Sequence, residues 1–118
     1  MENDSSVLAA LIYTGSLTTL YMKTRNEFVA ILLSLKGELE SRFHVKSIGI
    51  FGSVARNENT DISDLDLIVD FSEPVGMFKF LELRDYLRSA LNTDVDLTTP
   101  RALKPAIRQT VERDVFYV

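Results

Sequence analysis

Four residues in the middle of the chain have the types and spacing expected of a site for phosphate and a divalent cation. Gly52 and Ser53 follow a short apolar run, and after ten further residues Asp64 and Asp66 stand at the head of a second apolar run. A glycine lets a phosphate approach the backbone closely, while a serine offers a hydroxyl and an N–H group. Two carboxylates supply the oxygen ligands that Mg²⁺ prefers. The pattern therefore predicts displacement chemistry at phosphorus.

The elements that must position these groups are two predicted strands, Val45–Phe51 and Leu65–Phe71. Both runs are short, rich in β-branched and aromatic residues, and bounded by polar turn residues. Alternation along a strand places Asp64 and Asp66 on one face, about 7 Å apart between their Cα atoms. The apolar residues between and beyond them take the opposite face, where they can pack into a core. A short helix over residues 53–57 is predicted to follow the glycine.

The sequence around the aspartate pair is strongly acidic. Residues 57–78 contain six acidic residues and no lysine or arginine, so the carboxylates have no neighbouring cation in this stretch and repel one another unless a metal ion neutralises them. An isolated Asp-x-Asp usually lies in a solvated turn, but the whole arrangement of strand, Gly-Ser, spacer, aspartate pair and strand is far more specific. Asp70, at the far end of the second strand, is assigned a surface role, and Glu58 and Asp61 are interpreted as solvated loop charges.

The pattern Gly52-Ser53-x10-Asp64-x-Asp66 resembles the signature of the minimal nucleotidyltransferases (MNT) of the DNA polymerase beta-like superfamily. The resemblance extends over residues 22–118.

Members of that family carry a third acidic residue on a later strand, in a context such as V-D-L-[VT], and the run V-D-L-T around Asp96 is similar. Many members also have a glycine where this chain has Asn57. Because asparagine tolerates left-handed backbone geometry, the turn is expected to be retained. A third strand is predicted over residues 94–98. Asp96 rather than Asp94 is chosen to face the first pair, because apolar neighbours flank Asp96 whereas Asp94 follows a turn.

Two long helices are predicted, one before the first strand and one after the second. The first, over residues 24–43, begins with a capping box formed by Thr24 and Glu27, and the second covers residues 76–91. His44 is interpreted as a turn residue or helix cap. The apolar stripes of the two helices, which are assigned to the core, comprise Phe28, Ile31, Leu32, Leu35 and Leu39 in the first and Phe80, Leu83, Leu87 and Leu91 in the second.

The most basic part of the chain follows the third strand and contains Arg101, Lys104, Arg108 and Arg113. A helix over residues 106–113 is predicted here. Its basic face is either solvated or available for phosphates or an acidic partner. The apolar tail, residues 115–118, is expected to pack on the core or to add an edge strand.

Length and composition limit the class of protein. A chain of 118 residues with 46% apolar and 25% charged residues fits one small globular domain, predicted over residues 22–118. Residues 1–21 are interpreted as an N-terminal extension, with an arm that packs on a partner as the alternative, and their apolar run is too short to span a bilayer. The absence of cysteine and the single histidine exclude disulfides and thiolate or multi-histidine metal sites, and a cytoplasmic location fits. A net charge of −4 argues against a nucleic-acid partner.

These elements predict an α/β (α+β) fold in which a small mixed sheet is backed by helices and its acidic face is open. The resemblance implies that Gly52 and Ser53 bind the phosphates of a nucleoside triphosphate and that Asp64 and Asp66 hold Mg²⁺. It also implies that Asp96 joins a second metal site and accepts the proton of the incoming hydroxyl. Arg56 either contacts the triphosphate or pairs with Glu58 or Asp61, and the sequence favours neither.

The resemblance also implies an acceptor, since minimal members commonly pair with HEPN-type toxins. The leading hypothesis is an antitoxin that transfers AMP from ATP to a toxin tyrosine, in a hetero-oligomer with the toxin. One alternative is a non-catalytic module that masks a HEPN partner by contact. Another is transfer to a small molecule or to a tRNA end.

Overall fold

The structure, a computed structural model, describes residues 23–60 and 62–118. The predicted N-terminal extension, residues 1–21, and Asp61 lie outside the described residues. In chain order the elements are α1 (Arg25–Phe43), β1 (Val45–Phe51), α2 (Gly52–Ala55), β2 (Leu65–Phe71), α3 (Met77–Leu91), β3 (Val95–Thr98), a 3-10 turn (Pro100–Ala102), α4 (Pro105–Asp114) and β4 (Phe116–Tyr117).

The four strands form one mixed sheet in the order β3-β2-β1-β4. Strand β1 is antiparallel to both β2 and β4, and β2 is parallel to β3. Helix α3 makes the crossover that a parallel pair requires. The α/β fold with a small mixed sheet is confirmed, and the two strands at the motif have the predicted bounds.

Helix α1 begins and ends where local sequence signals place it. The Glu27 N–H donates to Thr24 Oγ1 (3.3 Å) and the Thr24 N–H donates to Glu27 Oε1 (2.8 Å), so the predicted capping box is present. The helix ends at His44, whose φ of 59° is left-handed. His44 is therefore a helix cap, and its imidazole Nε2 lies 3.6 Å from a carboxylate oxygen of Glu73.

Helices α1 and α3 cover one face of the sheet. Their inward residues pack on alternate strand residues such as Ile50, Leu67 and Val69. The predicted stripes are confirmed, although three of their members are only partly buried: Ile31, Leu35 and Phe80. This layer forms the main core, so the polar strand residues must face the other way.

The opposite face of the sheet is not fully open, and the prediction of an open acidic face is wrong in this respect. Ile68 lies on that face between Asp66 and Asp70, and it is buried against Leu103 and Val111 of the α4 region. Burying an apolar side chain on this face is favourable, and α4 and the turn before it bury Ile68. The end of the face that carries Asp64 and Asp66 lies outside this cluster, and Asp70 at the other end of β2 is exposed as well.

The C-terminal tail forms the predicted edge strand beside β1. Gly49 pairs with Tyr117, and the Val118 N–H donates to the Ile48 carbonyl (2.9 Å). A Cβ at Gly49 would lie 2.7 Å from Val115 Cγ2 and 3.0 Å from the Tyr117 ring. A glycine at this position is thus what allows the tail to pack on β1.

Other element ends differ slightly from prediction. Helix α3 starts at Met77, with Gly76 as its N-cap, β3 starts at Val95, and α4 extends from Pro105 to Asp114. Within residues 23–60 and 62–118, no helix combines the length and hydropathy needed to cross a membrane.

Candidate functional site

The Gly-Ser turn is a single helical turn, α2, between β1 and the loop that leads to β2. It covers Gly52–Ala55 rather than the predicted residues 53–57. Val54 and Ala55 are buried and anchor it, while the Glu58 N–H donates to the Ser53 carbonyl (2.8 Å). Asn57 has a φ of 58°, so it takes the left-handed geometry expected of it, and this ends the helix earlier than predicted.

Gly52 lies directly against Asp66. Its φ is +74°, and a Cβ built at this position would overlap Oδ2 of Asp66. The backbone of the turn therefore lies so close to the carboxylate that no side chain fits between them. This arrangement allows one polyanion to contact the turn and a cation on Asp66 at the same time.

Three aspartates lie on the same face at the same end of the sheet. Asp66 pairs in register with Asp96 of the parallel strand β3, and Asp64 precedes Asp66 by one alternation. The Leu65 N–H donates to the Asp94 carbonyl (2.9 Å), which fixes the start of both strands. Neighbouring strands lie about 4.8 Å apart, so the Asp66 and Asp96 carboxylates lie close enough to interact.

The electrostatics of the site are dominated by these carboxylates. Asp64 and Asp96 are exposed, whereas Asp66 is half-buried. Desolvation by burial, followed by the negative charges of Asp96 and Asp64, raises the pKa of Asp66 from its ordinary value of 3.8 to about 6, while Arg56 acts weakly in the opposite direction. A bound cation would therefore stabilise the ionised form of Asp66.

The donor set suits a hard cation. It consists of carboxylate oxygens alone, which fits Mg²⁺ better than a softer metal. Within the described residues no three His, Cys, Asp or Glu side chains are already grouped to hold a metal ion. The negative charges of Asp64 and Asp96 act unfavourably on the ionised form of Asp66, and a bound cation would offset this repulsion.

Arg56 lies at the end of the turn and makes two ion pairs. Its Nε lies 3.0 Å from Glu58 Oε1 and its Nη1 lies 3.3 Å from Asp114 Oδ2. Pairing with Glu58, one of the alternatives left open by the sequence, is present, whereas Asp114, which lies 58 residues away in the chain, was not anticipated. The side chain remains 41% exposed, so it can still contact a phosphate at the turn.

Comparisons with known proteins agree with this geometry. The nucleotidyltransferase domain family matches residues 32–117. The protein adenylyltransferase MntA of Thermococcus cleftensis is 45% identical over 97 residues, which cover 82% of this chain and 98% of that relative. The chain belongs to the minimal nucleotidyltransferases. It is therefore a nucleotidyltransferase, as the resemblance of the motif implies.

Two solved structures share the fold of this minimal nucleotidyltransferase. One, of a candidate minimal nucleotidyltransferase, has a TM-score of 0.62 and 34% identity, covering 78% of this chain and 89% of that chain. The other, a crystal structure of a toxin–antitoxin with AMP-PNP, has a TM-score of 0.61 and 25% identity, covering 75% of this chain and 69% of that chain.

Several charged residues of this minimal nucleotidyltransferase lie away from the carboxylates or serve the fold. Asp70 is exposed and accepts a hydrogen bond from the adjacent Phe71 N–H (3.0 Å). Arg108 donates to the carbonyls of Pro100 and Leu103, both at 3.1 Å, and so stabilises the segment that covers Ile68. The predicted roles concern six residues, and they stay predictions: Gly52, Ser53, Arg56, Asp64, Asp66 and Asp96.

The raised pKa of Asp66 makes stability depend on pH in a defined direction. A carboxyl with a higher pKa in the folded than in the unfolded state stabilises the fold when protonated, and this contribution is lost as pH rises from about 4 to 6. We expect the urea midpoint of the metal-free protein to fall across this range more steeply in wild type than in Asp66→Asn. Asp70→Asn, an exposed residue of the same strand, should follow wild type. Identical profiles for wild type and Asp66→Asn would contradict the assignment.

Proposed function

We propose that this minimal nucleotidyltransferase is a Mg²⁺-dependent protein adenylyltransferase of the cytoplasm. It transfers AMP from ATP to a tyrosine hydroxyl of a HEPN-type toxin and thereby acts as the antitoxin of that toxin. The observation that supports this most directly is the contact between Gly52 and Asp66, with Asp96 in register beside it. In this arrangement, a backbone that phosphates can approach closely lies next to carboxylates on two parallel strands.

Each residue has a distinct part in the proposed reaction. The backbone at Gly52 and Ser53 binds the β- and γ-phosphates, and Arg56 adds positive charge at the same turn. Asp64 and Asp66 would hold Mg²⁺, which would neutralise charge on the triphosphate when bound. Positioning of the hydroxyl and the α-phosphate for in-line attack carries much of the rate.

In the proposed reaction, Asp96 receives the proton of the acceptor hydroxyl. It is exposed on the edge strand β3, on the open end of the face, where an incoming hydroxyl can reach it. The hydroxyl oxygen forms a bond to the α-phosphorus, the bond from that phosphorus to the pyrophosphate oxygen breaks, and pyrophosphate leaves. The products are the adenylylated tyrosine and pyrophosphate.

A protein acceptor fits the described part of the chain. Residues 23–60 and 62–118 form one sheet with its helices and contain no separate layer over the aspartates. A protein can present its own tyrosine to such an open site. The name of the relative, protein adenylyltransferase MntA, and the toxin–antitoxin structure with AMP-PNP support the same class of acceptor.

The test is transfer of label from [α-³²P]ATP to a purified HEPN-type partner. A neighbouring gene whose product contains the sequence motif R-x4-6-H would identify that partner. We expect Mg²⁺-dependent label on a partner tyrosine. Asp64→Asn should lose the label, because it removes a charged ligand from the nucleotide site. Asp70→Asn, an exposed aspartate at the other end of β2, should retain it.

Two results would contradict the proposal. Full neutralisation of the toxin by Asp64→Asn without any labelling would instead favour a module that masks its partner by contact. Label in tRNA or in a small molecule, with none in the protein, would assign a different acceptor.

A further inference from the structure

Arg25, in the first turn of α1, reaches across to the end of the Gly-Ser turn. Its Nη1 donates to the Ala55 carbonyl at 2.9 Å, across 30 residues of sequence. Its guanidinium carbon lies 4.6 Å from the centre of the Phe116 ring, a cation–π contact. Its Nε is inaccessible to solvent and has no hydrogen-bond partner within the described residues. A charged side chain so placed has a defined position rather than a solvated one.

The contact connects three elements around α2. Phe116 in β4 pairs with Ile50 in β1, one residue before the end of that strand. Ala55 is the last residue of α2, and its carbonyl is among those a helix leaves without a partner inside the helix. Arg25 therefore holds the far end of the turn, while β1 holds its near end.

A second contact ties the same region to the start of α1. Asn59 Nδ2 donates to the Lys23 carbonyl at 3.2 Å. The turn and the loop after it are thus both fastened to the chain just before and within the first turn of α1. The other hydrogen bonds of α2 to described residues are local, such as that from the Arg56 N–H to the Gly52 carbonyl (3.3 Å).

We propose that Arg25 and Phe116 form a brace that positions the Gly-Ser turn and so sets the affinity of the protein for a nucleoside triphosphate. The proposal rests on the proposed function, in which this turn binds the phosphates. Arg25 acts through Ala55 and is a positioning residue. Since the turn contacts the β- and γ-phosphates before and during the reaction, the brace stabilises the ground state and the transition state alike.

The test measures binding of the non-hydrolysable nucleotide AMP-PNP by calorimetry in Mg²⁺, without any acceptor. Arg25→Met keeps the aliphatic stem but removes the guanidinium, and we expect Kd to rise about tenfold, the scale of one lost hydrogen bond to a charged group. In transfer assays KM for ATP should rise by a similar factor with kcat changed less than about threefold. Arg25→Lys should be intermediate, because it keeps the charge but loses the planar stack.

The matched control is Arg42→Met. Arg42 lies on the same helix, 4.8 Å from the Phe43 ring, but contacts Glu38 and Glu82 rather than the turn. Its replacement should leave Kd within about twofold of wild type, since a surface pair adds little.

A second variant keeps the proposal testable if Arg25→Met folds poorly. Phe116→Leu removes only the ring under Arg25, and it should raise Kd in the same direction by a smaller factor. The double variant should bind no worse than Arg25→Met alone, because both changes act through one contact. Wild-type affinity in both single variants, or equal losses in Arg25→Met and Arg42→Met at unchanged Tm, would overturn the brace. Failure of wild type itself to bind AMP-PNP would instead contradict the proposed function.

Discussion

Asp66→Asn is expected to abolish nucleotidyl transfer and, at pH 7, to make the metal-free protein more stable. Both effects follow from the position of the Asp66 carboxylate. The folded state places the Asp66 carboxylate among Asp96 and Asp64 and partly removes it from water, which raises its pKa to about 6. Ionisation at pH 7 therefore opposes folding, and a neutral amide of similar size removes that opposition.

The sizes of the two effects differ widely. The change in pKa from 3.8 to about 6 corresponds to at most about 3 kcal/mol, and solvent screening of a half-buried side chain reduces the gain in unfolding free energy to about 1 kcal/mol. The loss of transfer should be about 10³-fold or more, because preorganised charge at such a site carries much of the rate. Chemical unfolding in EDTA and label transfer in Mg²⁺ measure the two quantities separately.

The sign of the stability change is the informative part. Under the proposed function the aspartates hold Mg²⁺ only in the folded protein, so wild type should gain stability from added Mg²⁺, whereas Asp66→Asn should gain much less. A loss of stability in Asp66→Asn at pH 7 would show that ionisation of Asp66 does not oppose folding. Transfer within tenfold of wild type would show that the carboxylate is not needed for the reaction.

Gly52→Ala is expected to lower both stability and activity. The residue has a φ of +74°, which costs an L-residue about 1–2 kcal/mol, and the new methyl would also overlap Oδ2 of Asp66. Either the turn or the carboxylate must move. A displacement of about 1 Å at such a site can cost about 10²-fold in rate. We expect a loss of roughly 2 kcal/mol in unfolding free energy, and a reduction of about 10²-fold in transfer.

Gly37→Ala is the matched control, and it should have the opposite effect on stability. Gly37 lies inside α1 with open space around the position of a Cβ. Alanine stabilises a helix by about 1 kcal/mol relative to glycine. Urea midpoints and label transfer of the two alanine variants should therefore separate clearly. Equal stabilities, or a Gly52→Ala protein with full activity, would remove the argument for close approach at this turn.

Local signals explain why much of the fold could be predicted. The runs Val45–Phe51 and Leu65–Phe71 are short, apolar and bounded by turn residues, and the strands have those bounds. The capping box at Thr24 places the start of α1 correctly. Alternation along a strand places the aspartates on the face away from the core, where the structure has them. Each of these inferences depends on residues close together in sequence.

Contacts between distant segments could not be predicted in the same way. Nothing near Arg25 indicates that it reaches Ala55, and nothing near Arg56 indicates Asp114 as its partner. Ile68 gives a weak signal of such a contact, because an apolar residue between acidic residues on one strand face indicates that another segment packs on it. Periodicity shows which face a residue takes but not which segment packs on it. The open acidic face was therefore predicted without the α4 region, which packs on Ile68.

The parallel register of β2 and β3 limits how this chain can change over evolution. Asp66 stands beside Asp96 only because residues 92–94 connect α3 to β3 at one particular length. An insertion or deletion of a single residue there would turn every β3 side chain to the opposite face, burying the carboxylate and exposing its apolar neighbours. The length of this connection is therefore constrained, and the left-handed φ of 52° at Asn92 constrains the amino-acid type at that position as well.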